Sequence, residues 1–154
     1  MSIALALQEY LDDRRISYDV TSHEKTGCSA ETAQAVQVSA DKIAKGVILK
    51  SDDLYVLAVL PASRRLDLRK ARKAIGESVV LATEEEASML FPDCDKGAVP
   101  AIGAAYNVAS IVDERLDNRD DVYFEGGDHR SLVHVAGEQF HQLMYGIPHA
   151  RLSA

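Results

Sequence analysis

Long apolar runs are missing from this chain: none approaches the ~18 residues that a membrane-crossing helix needs. The N-terminal stretch Met1-Ser2-Ile3-Ala4-Leu5-Ala6-Leu7 meets Glu9 and Asp12 too soon to be the apolar core of a secretion signal, so a cytoplasmic location is expected. Cysteine is scarce as well. Cys28 and Cys94 stand far apart with no CxxC or Cys/His ligand spacing, which argues against a disulfide framework and for two reduced thiols. His134 and His141 straddle a strand-to-helix boundary and His129 sits in a turn, so no metal or other cofactor is expected. Also absent are a Walker loop, a GxGxxG after a first strand, a GxSxG elbow and an HExxH helix. Gly126-Gly127 follows a strand, but it opens a hairpin and reads as a turn. No repeat, linker or low-complexity segment breaks the chain.

What remains is an ordinary globular composition. The 154 residues are 47% hydrophobic and 27% charged, a length that suits a single domain over 1–154 and buries roughly 68–70% of the unfolded surface. Disorder is expected only after Pro148. The net charge of −7 speaks against a generic nucleic-acid binder, yet its distribution is uneven. Arg64, Arg65, Arg69, Lys70, Arg72 and Lys73 put six of the 17 basic residues within ten positions, offset there only by Asp67. That stretch is either a solvated helix face or a phosphate-contacting surface on an otherwise acidic body.

Helix and strand alternate along the chain. Ile3, Leu7, Tyr10 and Leu11 are spaced for a helix over 3–13, and a short strand is expected over Ile16 to Val20. Ser29 can cap a helix running to about Val36, and a helical turn follows Ser39. Val47 to Leu49 and Leu54 to Leu60 flank Ser51-Asp52-Asp53 as a hairpin, with Pro61 ending the second strand. Leu66 to Ile75 reads as a helix closed by Gly76, followed by a brief strand over Val79 to Leu81. Thr83-Glu84-Glu85-Glu86 is a capping box for a helix that stops at Phe91-Pro92. Strands are expected at about 107–112, 121–125 and 131–135, and a last helix from about Gly137 to Tyr145. The hairpins predict an α/β fold, a curved, mixed, largely antiparallel sheet surrounded by helices, and not a doubly wound one.

Two segments carry the chemical interest. Lys45 begins a strand in Ile43-Ala44-Lys45-Gly46-Val47-Ile48, and some fifty residues later comes Lys96-Gly97-Ala98-Val99-Pro100-Ala101-Ile102-Gly103. A strand-anchored ammonium facing a Gly/Pro-stiffened loop can hold a carbonyl and neutralise an oxyanion without a Ser or Cys nucleophile. Ala98 and Val99 have no polar side-chain atoms, so any polar role of that loop rests on its backbone. His129 and His23 are the histidines best placed to reach such a site, although a structural hydrogen bond is the alternative for each.

In order and spacing the chain resembles the YbaK/prolyl-tRNA synthetase-associated editing domain family, whose free-standing members are aminoacyl-tRNA deacylases. The resemblance runs through Tyr18 and His23, Ala30-Glu31-Thr32-Ala33, the Lys45 strand, Leu57-Ala58-Val59-Leu60-Pro61, Leu66-Asp67-Leu68-Arg69-Lys70, Gly97-Ala98-Val99-Pro100, and Asp113 to Gly126-Gly127. It implies a trans-editing hydrolase acting on mischarged tRNA. Lys45 would bind the aminoacyl carbonyl or the terminal phosphate, backbone N–H groups near Gly97 and Ala98 would hold the oxyanion, and the ribose 2′-hydroxyl or a water would carry the proton. Val47, Leu60, Ala98, Val99, Ala101 and Ile102 would wall a small apolar pocket for an Ala, Ser, Cys or Pro side chain, with Gly46, Pro100, Gly103, His23 and His129 at its margins. The six basic residues would touch the acceptor stem. Expected partners are the aminoacyl-tRNA acceptor end and an aminoacyl-tRNA synthetase, with the protein itself a monomer. Two departures stand out: Gly46 follows the lysine where the family commonly has Thr or Asn, and Lys96 stands at the first position of the family's GxxxP loop. They leave open a module of the same fold that binds without hydrolysing.

Overall fold

The computed structural model describes residues 3–24, 26, 28–52 and 54–154. Asp53 of the expected hairpin turn, and Met1 and Ser2 of the N-terminal apolar stretch, lie outside them. The helices are α1 (Leu5–Asp13), α2 (Ser29–Val36), α3 (Leu68–Ile75), α4 (Glu84–Leu90) and α5 (Gly137–Leu143). The strands are β1 (Tyr18–Ser22), β2 (Ala44–Ser51), β3 (Leu54–Pro61), β4 (Val80–Leu81), β5 (Ala109–Asp113), β6 (Asp121–Glu125), β7 (Ser131–Ala136) and β8 (His149–Ala150).

Local chemistry accounts for most boundaries. Asp67 accepts from the Arg69 and Lys70 amides to start α3, and Gly76 ends it at φ 81°. Thr83 and Glu86 form the expected capping box of α4. Ser39 accepts from Asp41 N–H to open the 3-10 turn Ala40–Lys42. The first strand begins later than its apolar pattern suggests, because Ile16 donates its N–H to the Leu11 carbonyl and is buried beneath α1.

Strands pair into two sheets. One has the order β4-β2-β3-β5-β8, antiparallel across β4-β2-β3 and parallel across β3-β5-β8; the other is antiparallel, in the order β1-β7-β6. A parallel bridge between Ile43 and Tyr123 joins them beside the start of β2. On the larger sheet, Leu49 and Ala58 pack with Ala71 of α3, Val79, Ile111 and Leu152. The opposite face, with Ile48, Leu57, Val59 and Val112, enters a core shared with Leu7, Leu11, Val133, Val135 and Phe140. Each such side chain contributes about 1.5–3 kcal/mol on burial.

The disorder expected after Pro148 is not found. β8 adds to β5, Leu152 is fully buried, and Asp67 N–H donates to the Leu152 carbonyl. The cause is polar: the buried Asp113 carboxylate accepts from Leu152 N–H and, at 2.7 Å, from Ser153 Oγ. Such a tether leaves no hydrophobic signature in the sequence.

Candidate active site

β4 covers β2 only at Leu49 and Lys50, with Ala82 N–H extending the contact to the Ile48 carbonyl. In a strand the N–H and C=O of residues i and i+2 point to the same side. Gly46 therefore directs its backbone polar groups along the edge that Ile48 offers to Ala82, at a point that β4 does not reach. Facing this bare edge is a groove of about 280 Å³, lined by Gly46, Val47 and Ile48 on one side, Leu81 to Glu84 and Ala87 on another, and Gly97 and Val99 across from them.

Gly46 leaves no vacant space in place of a side chain. A Cβ there would lie 2.7 Å from Leu57 Cδ1, and one on Gly103 would meet Leu57 Cδ2 at 3.3 Å and clash with Ser110 Oγ. Leu57, fully buried, fills the space against both glycines.

The loop opposite is held from behind. Ala98 is buried and donates its N–H to the Asp95 carbonyl, whereas the Gly97 and Val99 amides have no partner among the described residues. Of the two amides expected to hold an oxyanion, the Ala98 amide is thus already engaged. Gly97 is exposed at φ 79°. Pro100, Ala101, Ile102 and Gly103 are buried, as is Leu60, so of the six expected wall residues only Val47 and Val99 line the groove.

A buried polar cluster sits behind this loop. His129, at φ 60° in the β6–β7 turn, hydrogen-bonds through Nε2 to the Lys96 carbonyl, while its Nδ1 is buried without a partner. Glu125 is 2% exposed; its Oε1 accepts from Thr32 Oγ1 at 3.0 Å, and its Oε2 is unpartnered. Burial pushes the Glu125 carboxyl above the ordinary range, against the opposing effects of Thr32, His129 and His23. His23 bonds through Nδ1 to the Glu24 carbonyl and leaves Nε2 unpartnered. Glu125 and Thr32 were not singled out from the sequence as site residues. The available signal was a carboxylate ending an apolar strand directly before Gly126-Gly127.

Lys45 lies one residue from the groove-lining Gly46, and strand alternation groups it with Val47, which also lines the groove, and with Leu49. It is half-buried and has no hydrogen bond or ion pair among the described residues. Burial lowers its pKa, the Cys28 thiol raises it again in part, and Arg65 lowers it further. Lys45 thus stands with Arg65 and Cys28 beside the groove, next to its lining residues Gly46 and Val47. Burial pushes the Cys94 thiol up to about 12, which disfavours its thiolate.

The basic stretch divides in two. Lys70 donates to the Ser153 carbonyl and Arg72 to that of Val79, tying α3 to its neighbours, and Arg64, ahead of the helix, donates to the Ala154 carbonyl. Arg65, Arg69 and Lys73 make no such bonds among the described residues.

Residues 23–143 match the aminoacyl-tRNA editing domain family, and the chain belongs to it. It is 32% identical over 87 residues to a proline–tRNA ligase of Geobacillus sp. (strain WCH70), a match covering 56% of this chain and 15% of that protein, so the chain spans a small part of this curated relative. The solved structure of a candidate trans-editing enzyme for prolyl tRNA synthetase superposes with a TM-score of 0.83 at 27% identity, covering 98% of this chain and 96% of the other. The hypothetical protein APE2540 shares the fold, with a TM-score of 0.86 at 24% identity over 97% of this chain and 99% of its own. Among the described residues no helix is long and apolar enough to cross a membrane.

Proposed function

We propose that the protein hydrolyses the ester of mischarged tRNA carrying a small amino acid. The observation that carries this reading is the half-buried Lys45 beside a groove whose opposite wall offers the Gly97 amide, neither having a hydrogen-bond partner among the described residues. Water adds to the ester carbonyl carbon, the carbonyl oxygen takes up negative charge, and the bond to the ribose oxygen then breaks. That oxygen receives a proton and leaves as the tRNA hydroxyl, with the free amino acid as the other product. An aminoacyl ester is already activated, so orientation and oxyanion stabilisation meet the main demand. Gly97 N–H donates to the oxyanion, and the ribose 2′-hydroxyl or a water carries the proton.

Of the two roles that the family resemblance leaves to Lys45, the presence of Arg65 favours the terminal phosphate. Two cations on one side of β2 suit a phosphate better than a lone carbonyl oxygen. Val47, Val99, Ala82 and Ala87 give the groove short apolar walls, which fit an Ala, Ser, Cys or Pro side chain. The exposed Arg69 and Lys73 extend the phosphate track towards the acceptor stem.

A deacylation screen against a panel of mischarged tRNAs tests the proposal. Turnover of a small-residue ester is the expected result. Binding of the charged acceptor end without turnover on any member would make the protein a binding module instead.

A further inference from the structure

The bond between His129 and the Lys96 carbonyl has a consequence for the groove. That carbonyl belongs to the same peptide group as Gly97 N–H, and a trans peptide is planar, with its C=O and N–H pointing in opposite directions. Whatever fixes the Lys96 oxygen also fixes the Gly97 hydrogen. A fixture is needed here, because a peptide flip changes mainly the ψ of Lys96 and the φ of Gly97, and glycine populates positive and negative φ about equally well. Gly97 sits at φ 79°, exposed on the groove wall, with nothing holding its own amide among the described residues.

We propose that His129 is a positioning residue whose ring locks the Lys96–Gly97 peptide in the orientation that turns Gly97 N–H away from the buried cluster and into the groove. The inference rests on the deacylase reading for its catalytic consequence and on this geometry for the lock itself. Because a carbonyl oxygen only accepts, Nε2 must carry the hydrogen. That bond is the ring's only hydrogen bond among the described residues, its Nδ1 being buried and unpartnered near the Glu125 carboxylate, and the ring is 5% exposed. A buried histidine that leaves one nitrogen unsatisfied while spending the other on a loop carbonyl is placed for that carbonyl. The turn that carries it is itself pinned: Thr26 N–H donates to the His129 carbonyl, and Asp128 accepts from the amides of Arg130 and Ser131. Without the lock the peptide could reverse, presenting an oxygen where the oxyanion forms.

The test compares His129→Gln, which keeps an N–H donor at a similar reach, with His129→Phe, which keeps the bulk and loses the donor. Both face the same positive φ, so backbone strain cancels between them. The Gly97 amide resonance is followed by 15N–1H NMR in each full-length protein, alongside kcat and KM on the mischarged tRNA that the screen identifies. A shifted Gly97 amide and a kcat lower by about 100-fold in the Phe variant, KM being little changed and the Gln variant close to wild type, is the expected pattern for losing one oxyanion donor. An unmoved Gly97 resonance in the folded Phe variant overturns the lock, whatever the activity. A shifted resonance with unchanged kcat upholds the lock and removes Gly97 from the oxyanion role, so the two ideas fail separately.

Discussion

Two lysines five residues apart on β2 have opposite fates. Lys50 forms a 2.6 Å ion pair with Glu86 and lies over the Tyr55 ring; Glu86 raises its pKa. Lys45 has no partner among the described residues, and burial lowers its pKa. The first ammonium is satisfied by its own fold. The second has been partly stripped of water without compensation, which costs stability and makes sense where a ligand supplies the missing anion. The same contrast separates two polar clusters: Thr83, Glu86 and Tyr55 close a hydrogen-bonded network at α4, whereas Glu125, His23 and His129 behind the Gly97 loop each keep an unpartnered buried atom.

The largest effect expected from this comparison is at Lys45. Lys45→Ala should lower kcat/KM for the mischarged tRNA by about 100-fold, in the range of lost hydrogen bonds to a charged group, with a thermal midpoint equal to or above that of the wild type. Lys50→Ala should leave turnover alone and lower the midpoint slightly. Near-wild-type kcat/KM in the Lys45 variant would erase the distinction between the two residues.

Gly46 sharpens the contrast from the packing side. Gly46→Thr must displace Leu57 and should cost about 1–3 kcal/mol of stability, as overpacking does. Leu57→Val in the same chain should recover part of this. Urea melts of the two variants decide it; a stable single variant would mean that Leu57 has room to turn away.

Charge reversal of Arg69 and Lys73 should weaken tRNA binding and flatten its salt dependence while sparing a minimal aminoacyl-nucleotide. Lys70 and Arg72 are poor choices for this experiment because each holds a backbone carbonyl. Equal loss on both substrates would assign the stretch to folding alone.

The smallest effect concerns acid. Lys50, Thr83 and Tyr55 hold Glu86 at about 2, below its ordinary 4.5. A depressed carboxyl contributes stability that is full above its unfolded value and disappears as pH falls through the folded one, so the loss falls between about 4.5 and about 2. Exposure keeps it small. Lys50→Met should shrink the pH dependence of the urea midpoint in that window, and an identical acid limb would show that the pair contributes nothing.

Much of the fold was legible locally. The Thr83–Glu86 box, the Asp67 and Gly76 ends of α3 and the Ser39 turn follow from side chains reaching backbone groups a few residues away. The β8 tether was not, because it depends on Asp113 meeting Ser153 across forty residues. The candidate site divides along the same line. Lys45 and the Gly97 loop could be singled out from residue type and order, but that a groove opens between the Gly46 edge and Gly97 follows only from where β4 stops.

By itself the sequence determined which groups are available: an ammonium at the head of an apolar strand, a loop able to offer only backbone, a cluster of basic residues in an acidic chain. Those are properties of residue type and short-range spacing, and no folding alters them. Only the tertiary structure decided which groups remain unpaired. It committed the Ala98 amide to Asp95 and left that of Gly97 without a partner among the described residues, tied down Lys70 and Arg72, and buried Glu125 beside two histidines. Whether a polar group has a partner depends on atoms distant in sequence, brought close by burial of the apolar faces around it, and so it is set by packing and not by the order of residues alone.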